Sequence, residues 1–96
     1  MAVVIHSKSG CPYCEKAKTF FKENDIDFDE VYYDAKQDDY QKRKDELVSK
    51  TNHTTFPQIF VGTEFIGGYT ELINSYSTLK FHELCENIGI SIGYDF

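Results

Sequence analysis

The chain has 96 residues, room for one domain and one modest core, and its 41% apolar content, with eight Phe and seven Tyr, suits a globular protein that needs no metal or structural disulfide to fold. A net charge of −6 excludes nonspecific nucleic-acid binding, which requires a basic surface. Three cysteines do not make a secreted disulfide framework, no basic leader precedes a long apolar stretch, and no apolar run nears the roughly 20 residues that span a membrane, so the cytoplasm is the expected compartment.

Residues 2–6 predict a buried strand, short, β-branched and almost wholly apolar, as found inside parallel or mixed sheets. Ser7 to Gly10 predict a polar loop. Pro12 to about Asn24 predict a helix, with Ala17, Phe20 and Phe21 at helical spacing. Phe28 to Tyr33 predict a second strand. Asp38 to about Ser49 predict a second helix, with Asp38 and Asp39 complementing its positive end. Its Lys-Arg-Lys-Asp-Glu run reads as a solvated face.

Thr51 to Phe56 predict a loop. Gln58 to Val61 and Glu64 to Ile66 flank Gly62-Thr63 and predict a hairpin. Gly67-Gly68 break its second strand. The Thr70 hydroxyl is the expected cap of a short helix buried through Leu72, Ile73 and Tyr76, and Thr78 the expected cap of a last one. That last helix carries the stripe Phe81, Leu84, Cys85 and Ile88 and stops at Gly89. Cys85 lies on the stripe and reads as a small core residue. The order is strand-helix-strand-helix-hairpin-helix-helix. It predicts one α/β domain over residues 1–96, a four-stranded mixed sheet with helices on both faces.

Cys11-Pro12-Tyr13-Cys14 falls where the first strand hands over to the first helix. A Cys-x-x-Cys in that setting reads as a thiol redox site. With Cys11 as the cap, Pro12 loses nothing at the first helical position, because its missing N–H is an orphan there anyway. The Cys11 sulfur then faces unpaired amides and the positive end of the helix dipole, and both favour thiolate over thiol. Lys8, three residues earlier, adds positive charge. Cys11 is therefore the expected nucleophile and Cys14, one turn into the helix, the resolving thiol. The same spacing makes half a zinc site, but Cys85, His6, His53 and His82 contain no second tight pair to complete it.

Two further stretches can complete a site. A cis bond before Pro57 in Thr55-Phe56-Pro57 would turn the Phe56 backbone outward to pair with an extended peptide; a trans proline at a strand start is the ordinary alternative. Gly67-Gly68-Tyr69-Thr70-Glu71 allows close backbone approach before a helix start that receives carboxylates, or makes a plain turn and cap.

Ser9-Gly10-Cys11-Pro12-Tyr13-Cys14, then Thr55-x-Pro57-Gln58-Ile59-Phe60-Val61, then Ile66-Gly67-Gly68-Tyr69-Thr70-Glu71, in that order, resemble a dithiol glutaredoxin of the small bacterial and phage type. The resemblance covers nearly the whole chain. It implies the thioredoxin fold, a cis Pro57, glutathione as co-substrate, and no tightly bound cofactor or metal. Carried over, Cys11 is the nucleophile and Cys14 resolves. Tyr13 flanks glutathione, and the Phe56 backbone pairs with its cysteinyl part beside Thr55 and Pro57. Tyr69, Thr70 and Glu71 meet its γ-glutamyl end, and Lys8 stands near the motif. The implied partners are glutathione and disulfide-bearing proteins, with ribonucleotide reductase as the family-level example. The implied state is a monomer in the cytoplasm of a bacterium or of a phage's host.

The chain departs from relatives in three places. Phe56 replaces the usual Val. Glu71 supplies a carboxylate one residue beyond Thr70, where many relatives carry Asp. Thr54 and His53 stand where some carry a basic residue, so that His53 is either a contact for the glycyl carboxylate or an exposed loop residue. Residues 89–96 match no motif and read as a tail that packs or docks a partner. Two other functions fit the pattern: a thioredoxin-like reductant fed by a flavoprotein reductase, and a module holding an iron-sulfur cluster between two protomers with glutathione. Relatives with the cluster usually lack Pro after the first cysteine.

Overall fold

Val3, Ile5 and Ser7 alternate with Val4, His6 and Lys8 along one strand, the first set buried and the second half-buried, so that both faces of the strand are covered to different depths. This is β1 (Val3–Lys8) in a computed structural model that describes residues 2–87 and 89. The further elements are α1 (Pro12–Glu23), β2 (Phe28–Tyr33), α2 (Tyr40–Thr51), β3 (Gln58–Val61), β4 (Glu64–Gly67), α3 (Tyr69–Ser77) and α4 (Lys80–Asn87). Ile88, predicted for the stripe of α4, and residues 90–96 lie outside the described residues.

The four strands form one mixed sheet in the order β2-β1-β3-β4. β1 and β2 run parallel with Val3 opposite Phe28 and Lys8 opposite Tyr33. β3 is antiparallel to β1 with Ile5 opposite Ile59, and β4 returns beside β3. On one face Val3, Ile5, Ile59 and Val61 pack with Ala17 and Phe21 of α1, Leu72 of α3, and Phe81 and Cys85 of α4. On the other, Tyr33, Leu47 of α2, Phe56 and Cys14 form a smaller cluster. Burying each large side chain of this kind stabilises the fold by about 1.5–3 kcal/mol.

Four local expectations change. Ser7 and Lys8 are strand rather than loop, because β2 continues the parallel ladder to Tyr33. α2 begins at Tyr40, with Asp39 as a cap that makes no side-chain bond, and runs on through Thr51, whose hydroxyl donates to the Gln58 side chain at 2.8 Å. Thr70 lies inside α3, whose cap is Gly68. Thr78 closes α3 instead of opening α4: its N–H and hydroxyl both donate to the Asn74 carbonyl.

Candidate active site

Cys11 is the cap of α1, in extended conformation with φ −117° and ψ 99°, and Pro12 takes the first helical position. The Cys14 N–H donates to the Cys11 sulfur at 3.2 Å, which supplies one of the orphan amides of the helix start. The two cysteines are joined by a disulfide, with their Cα atoms 5.3 Å apart. Cys14 is buried; Cys11 is half-buried at the rim.

The bond between Phe56 and Pro57 is cis. The Phe56 carbonyl oxygen stands 3.7 Å from the Cys11 sulfur. The Phe56 ring turns the other way, into the small cluster, where it packs on Tyr33 with ring centres 5.2 Å apart. The large side chain at this position is therefore spent inside the protein, and only backbone is offered to the site.

Pro57 and Phe56 form one wall of a groove of about 320 Å³, with Thr55, Tyr13, Tyr69, Thr70, Glu71, Gly68 and His53 around it. Seven of the residues singled out in the sequence thus meet in one place: Tyr13, Thr55, Phe56, Pro57, Tyr69, Thr70 and Glu71. The Tyr13 ring, half exposed, lies 5.9 Å from that of Tyr69. The eighth, Lys8, lines a separate cleft with Gly10, Cys11, Pro12 and Tyr32, its ammonium 5.9 Å from the centre of the Phe56 ring.

His53 is half-buried on the groove, with Nε2 3.0 Å from the Thr55 hydroxyl, and is not a free loop residue. Glu71 is already engaged: its Oε1 accepts the Gly68 N–H at 2.8 Å. Gly67, at φ +110°, has that carboxylate folded over it, and a β-carbon there would stand 2.7 Å from Glu71 Cγ. A β-carbon at Gly68 would come within 3.3 Å of the Pro57 carbonyl oxygen, so the paired glycines let the start of α3 close on the cis-proline turn.

The sequence reading missed the residues behind the site. His6 Nδ1 and the Tyr33 hydroxyl are 2.8 Å apart, and the Arg43 guanidinium stacks on the Tyr33 ring at 4.3 Å. The one available signal was the alternation that puts His6 and Lys8 on one face of β1; the register that brings Tyr33 beside them is not written in local sequence. Among the described residues no group of three or more His, Cys, Asp or Glu side chains is placed to hold a metal ion. No helix among them is long and apolar enough to cross a membrane.

The family model described as Glutaredoxin matches residues 3–66. The chain belongs to the glutaredoxin family. It is 37% identical to a glutaredoxin of Pseudomonas aeruginosa over 70 residues, 73% of this chain and 79% of that protein. Glutaredoxin 3 of Escherichia coli K12 is 33% identical over 70 residues, 73% of this chain and 80% of its own. Among solved structures, glutaredoxin 1 from Francisella tularensis, complexed with cacodylate, superposes with a TM-score of 0.68 at 38% identity, over 82% of this chain and 95% of its own. The buckwheat glutaredoxin–glutathione complex has a TM-score of 0.83 at 22% identity, over 94% of this chain and 81% of its own, a likeness of fold. The fold is the thioredoxin fold. As a glutaredoxin with a Cys11–Cys14 dithiol, the protein is a thiol-disulfide oxidoreductase.

Proposed function

We propose that the electron donor is glutathione and that the groove beside Cys11 takes it. The observation that carries this reading is the Phe56 carbonyl, 3.7 Å from the Cys11 sulfur, on a residue that also walls a groove lined by Tyr13, Thr55, Tyr69, Thr70 and Glu71. An exposed extended backbone suits the cysteinyl part of a tripeptide. Tyr13 flanks its thiol, Thr55 and Pro57 border it, and the start of α3 with Tyr69, Thr70 and Glu71 meets its γ-glutamyl end.

Two routes follow. With a glutathione mixed disulfide, the Cys11 thiolate attacks the glutathione sulfur, the substrate sulfur leaves as a thiolate and is protonated by solvent, and Cys11 holds the glutathione. A second glutathione thiolate then attacks that sulfur, releasing the Cys11 thiolate and glutathione disulfide. With a protein disulfide, Cys11 attacks one sulfur and Cys14 then attacks the Cys11 sulfur. The substrate is freed as a dithiol and the Cys11–Cys14 bond forms, which two glutathione molecules reduce. Disulfide-bearing cytoplasmic proteins are the substrates, and the working form is a monomer.

The test is glutathione-dependent reduction of a small mixed disulfide by wild type, Cys11→Ser and Cys14→Ser. Cys11→Ser abolishes turnover and Cys14→Ser retains it. Loss in both variants would overturn the division of roles, and a wild type inactive with glutathione but active with a flavoprotein reductase would overturn the donor.

A further inference from the structure

We propose that Tyr33 is a positioning residue: clamped by His6 and Arg43, it holds the Phe56 ring and so fixes where the Phe56 carbonyl stands relative to the Cys11 sulfur. Three contacts hold the Tyr33 side chain. Its hydroxyl meets His6 Nδ1 at 2.8 Å, the Arg43 guanidinium covers the ring at 4.3 Å, and the Phe56 ring packs on it at 5.2 Å. Arg43 is itself tied down, since its Nη1 donates to the Tyr32 carbonyl at 3.2 Å. His6 is held between the rings of Tyr33 and Phe60, at 5.7 and 5.4 Å. The clamp thus joins β1, β2, β3 and α2 around the Tyr33 side chain.

Phe56 is the link to the chemistry. Its ring is buried against Tyr33 in the cluster that also contains Cys14. The backbone of the same residue presents its carbonyl oxygen to Cys11. A rigid ring seated on a clamped partner gives the carbonyl little freedom to shift. That freedom matters because a carbonyl oxygen is the negative end of a dipole: it accepts from a thiol S–H and repels a thiolate. It opposes the amides of the α1 start, which favour the thiolate. Where the carbonyl stands sets the balance between the two. The same backbone forms the groove wall, so on the reading that the groove takes glutathione, Tyr33 also governs the fit of that substrate.

The experiment is the pH profile of Cys11 alkylation by iodoacetamide in the reduced Cys14→Ser protein. Tyr33→Leu, Tyr33→Phe, Phe56→Val and the double variant Tyr33→Leu/Phe56→Val are compared with the unaltered background, with folding checked by thermal melting. Tyr33→Leu is expected to move the profile midpoint to lower pH, and Tyr33→Phe to move it less in the same direction. The Phe56→Val variant has no ring to hold, so adding Tyr33→Leu to it produces no further move. In the protein with both cysteines, Tyr33→Leu raises KM for the glutathione mixed disulfide by about threefold to tenfold with kcat within about twofold. A midpoint unchanged or raised in folded Tyr33→Leu overturns the proposal, as does an equal move when Tyr33→Leu is added to Phe56→Val. If Tyr33→Leu does not fold, an unmoved Tyr33→Phe midpoint overturns it. Alkylation uses no glutathione, so a wild type inactive with glutathione would sink the proposed donor and leave this comparison standing.

Discussion

Glu71 Oε1 accepts at 2.8 Å the backbone N–H of Gly68, the cap of α3, three residues back. It is half of a capping box, with glycine in the place of the usual Ser or Thr. The bond ties the turn after β4 to the first turn of α3, where Tyr69 shares a groove with the cis-proline turn. Glu71→Ala is expected to cost about 0.5–2 kcal/mol of stability, whereas Glu71→Gln, which keeps an acceptor, costs less. Urea denaturation of the two variants measures the difference; an Ala variant as stable as wild type would show that the bond contributes nothing.

Cys85 differs from the active-site pair in environment rather than chemistry. It is fully buried among Phe81 and the other residues of the larger core, and burial alone pushes its thiol up to about 11. In the reduced native protein at pH 8, a thiol reagent should label Cys11 rapidly and leave Cys85 unlabelled until denaturant is added. Mass spectrometry of the labelled peptides decides it. Labelling of Cys85 in the native fold at a rate near that of Cys11 would contradict the burial.

His6 makes stability sensitive to mild acid. Burial holds its proton affinity below the ordinary imidazole value near 6.5, and the cations Arg43 and Lys50 lower it further. The unfolded chain therefore binds the proton more readily than the native one. The stabilisation is present above about pH 6.5 and is lost as pH falls through the lower native value. His6→Gln should flatten the drop in urea midpoint between pH 7 and pH 5. A drop as steep in His6→Gln as in wild type would place the acid sensitivity elsewhere.

Much of this molecule can be read from its residues, and the exceptions have physical causes. The apolar run through Val3, Val4 and Ile5, the Phe81, Leu84 and Cys85 part of the α4 stripe and the Gly62-Thr63 hairpin are local signals, and these appear where expected. Cys11 and Pro12 set the start of α1 because cap and proline preferences are local too. Thr70 and Thr78 were misplaced because several residues nearby could cap. The choice of Gly68 was made by a glutamate reaching back and by the backbone of Gly67, at a φ of +110° that only glycine enters easily. The bulk of Phe56 was legible as a departure, but its destination was not. Whether the ring entered the groove or the core depended on Tyr33, 23 residues earlier by number and beside it only through the sheet. His53 was undecidable for the same reason: its contact with Thr55 is local, while its packing on the Phe65 ring and its place beside Gly68 on the groove come only through the fold.

The most direct measurement is the ionisation of the Cys11 thiol in the reduced protein, followed by thiolate absorbance or by alkylation rate against pH. A sulfur at the first amides of α1 is expected to ionise well below the value of about 8.5 for free cysteine, within roughly 3.5–7.5. Ionisation at the free-cysteine value would contradict the placement of a thiolate at the helix start as the source of reactivity.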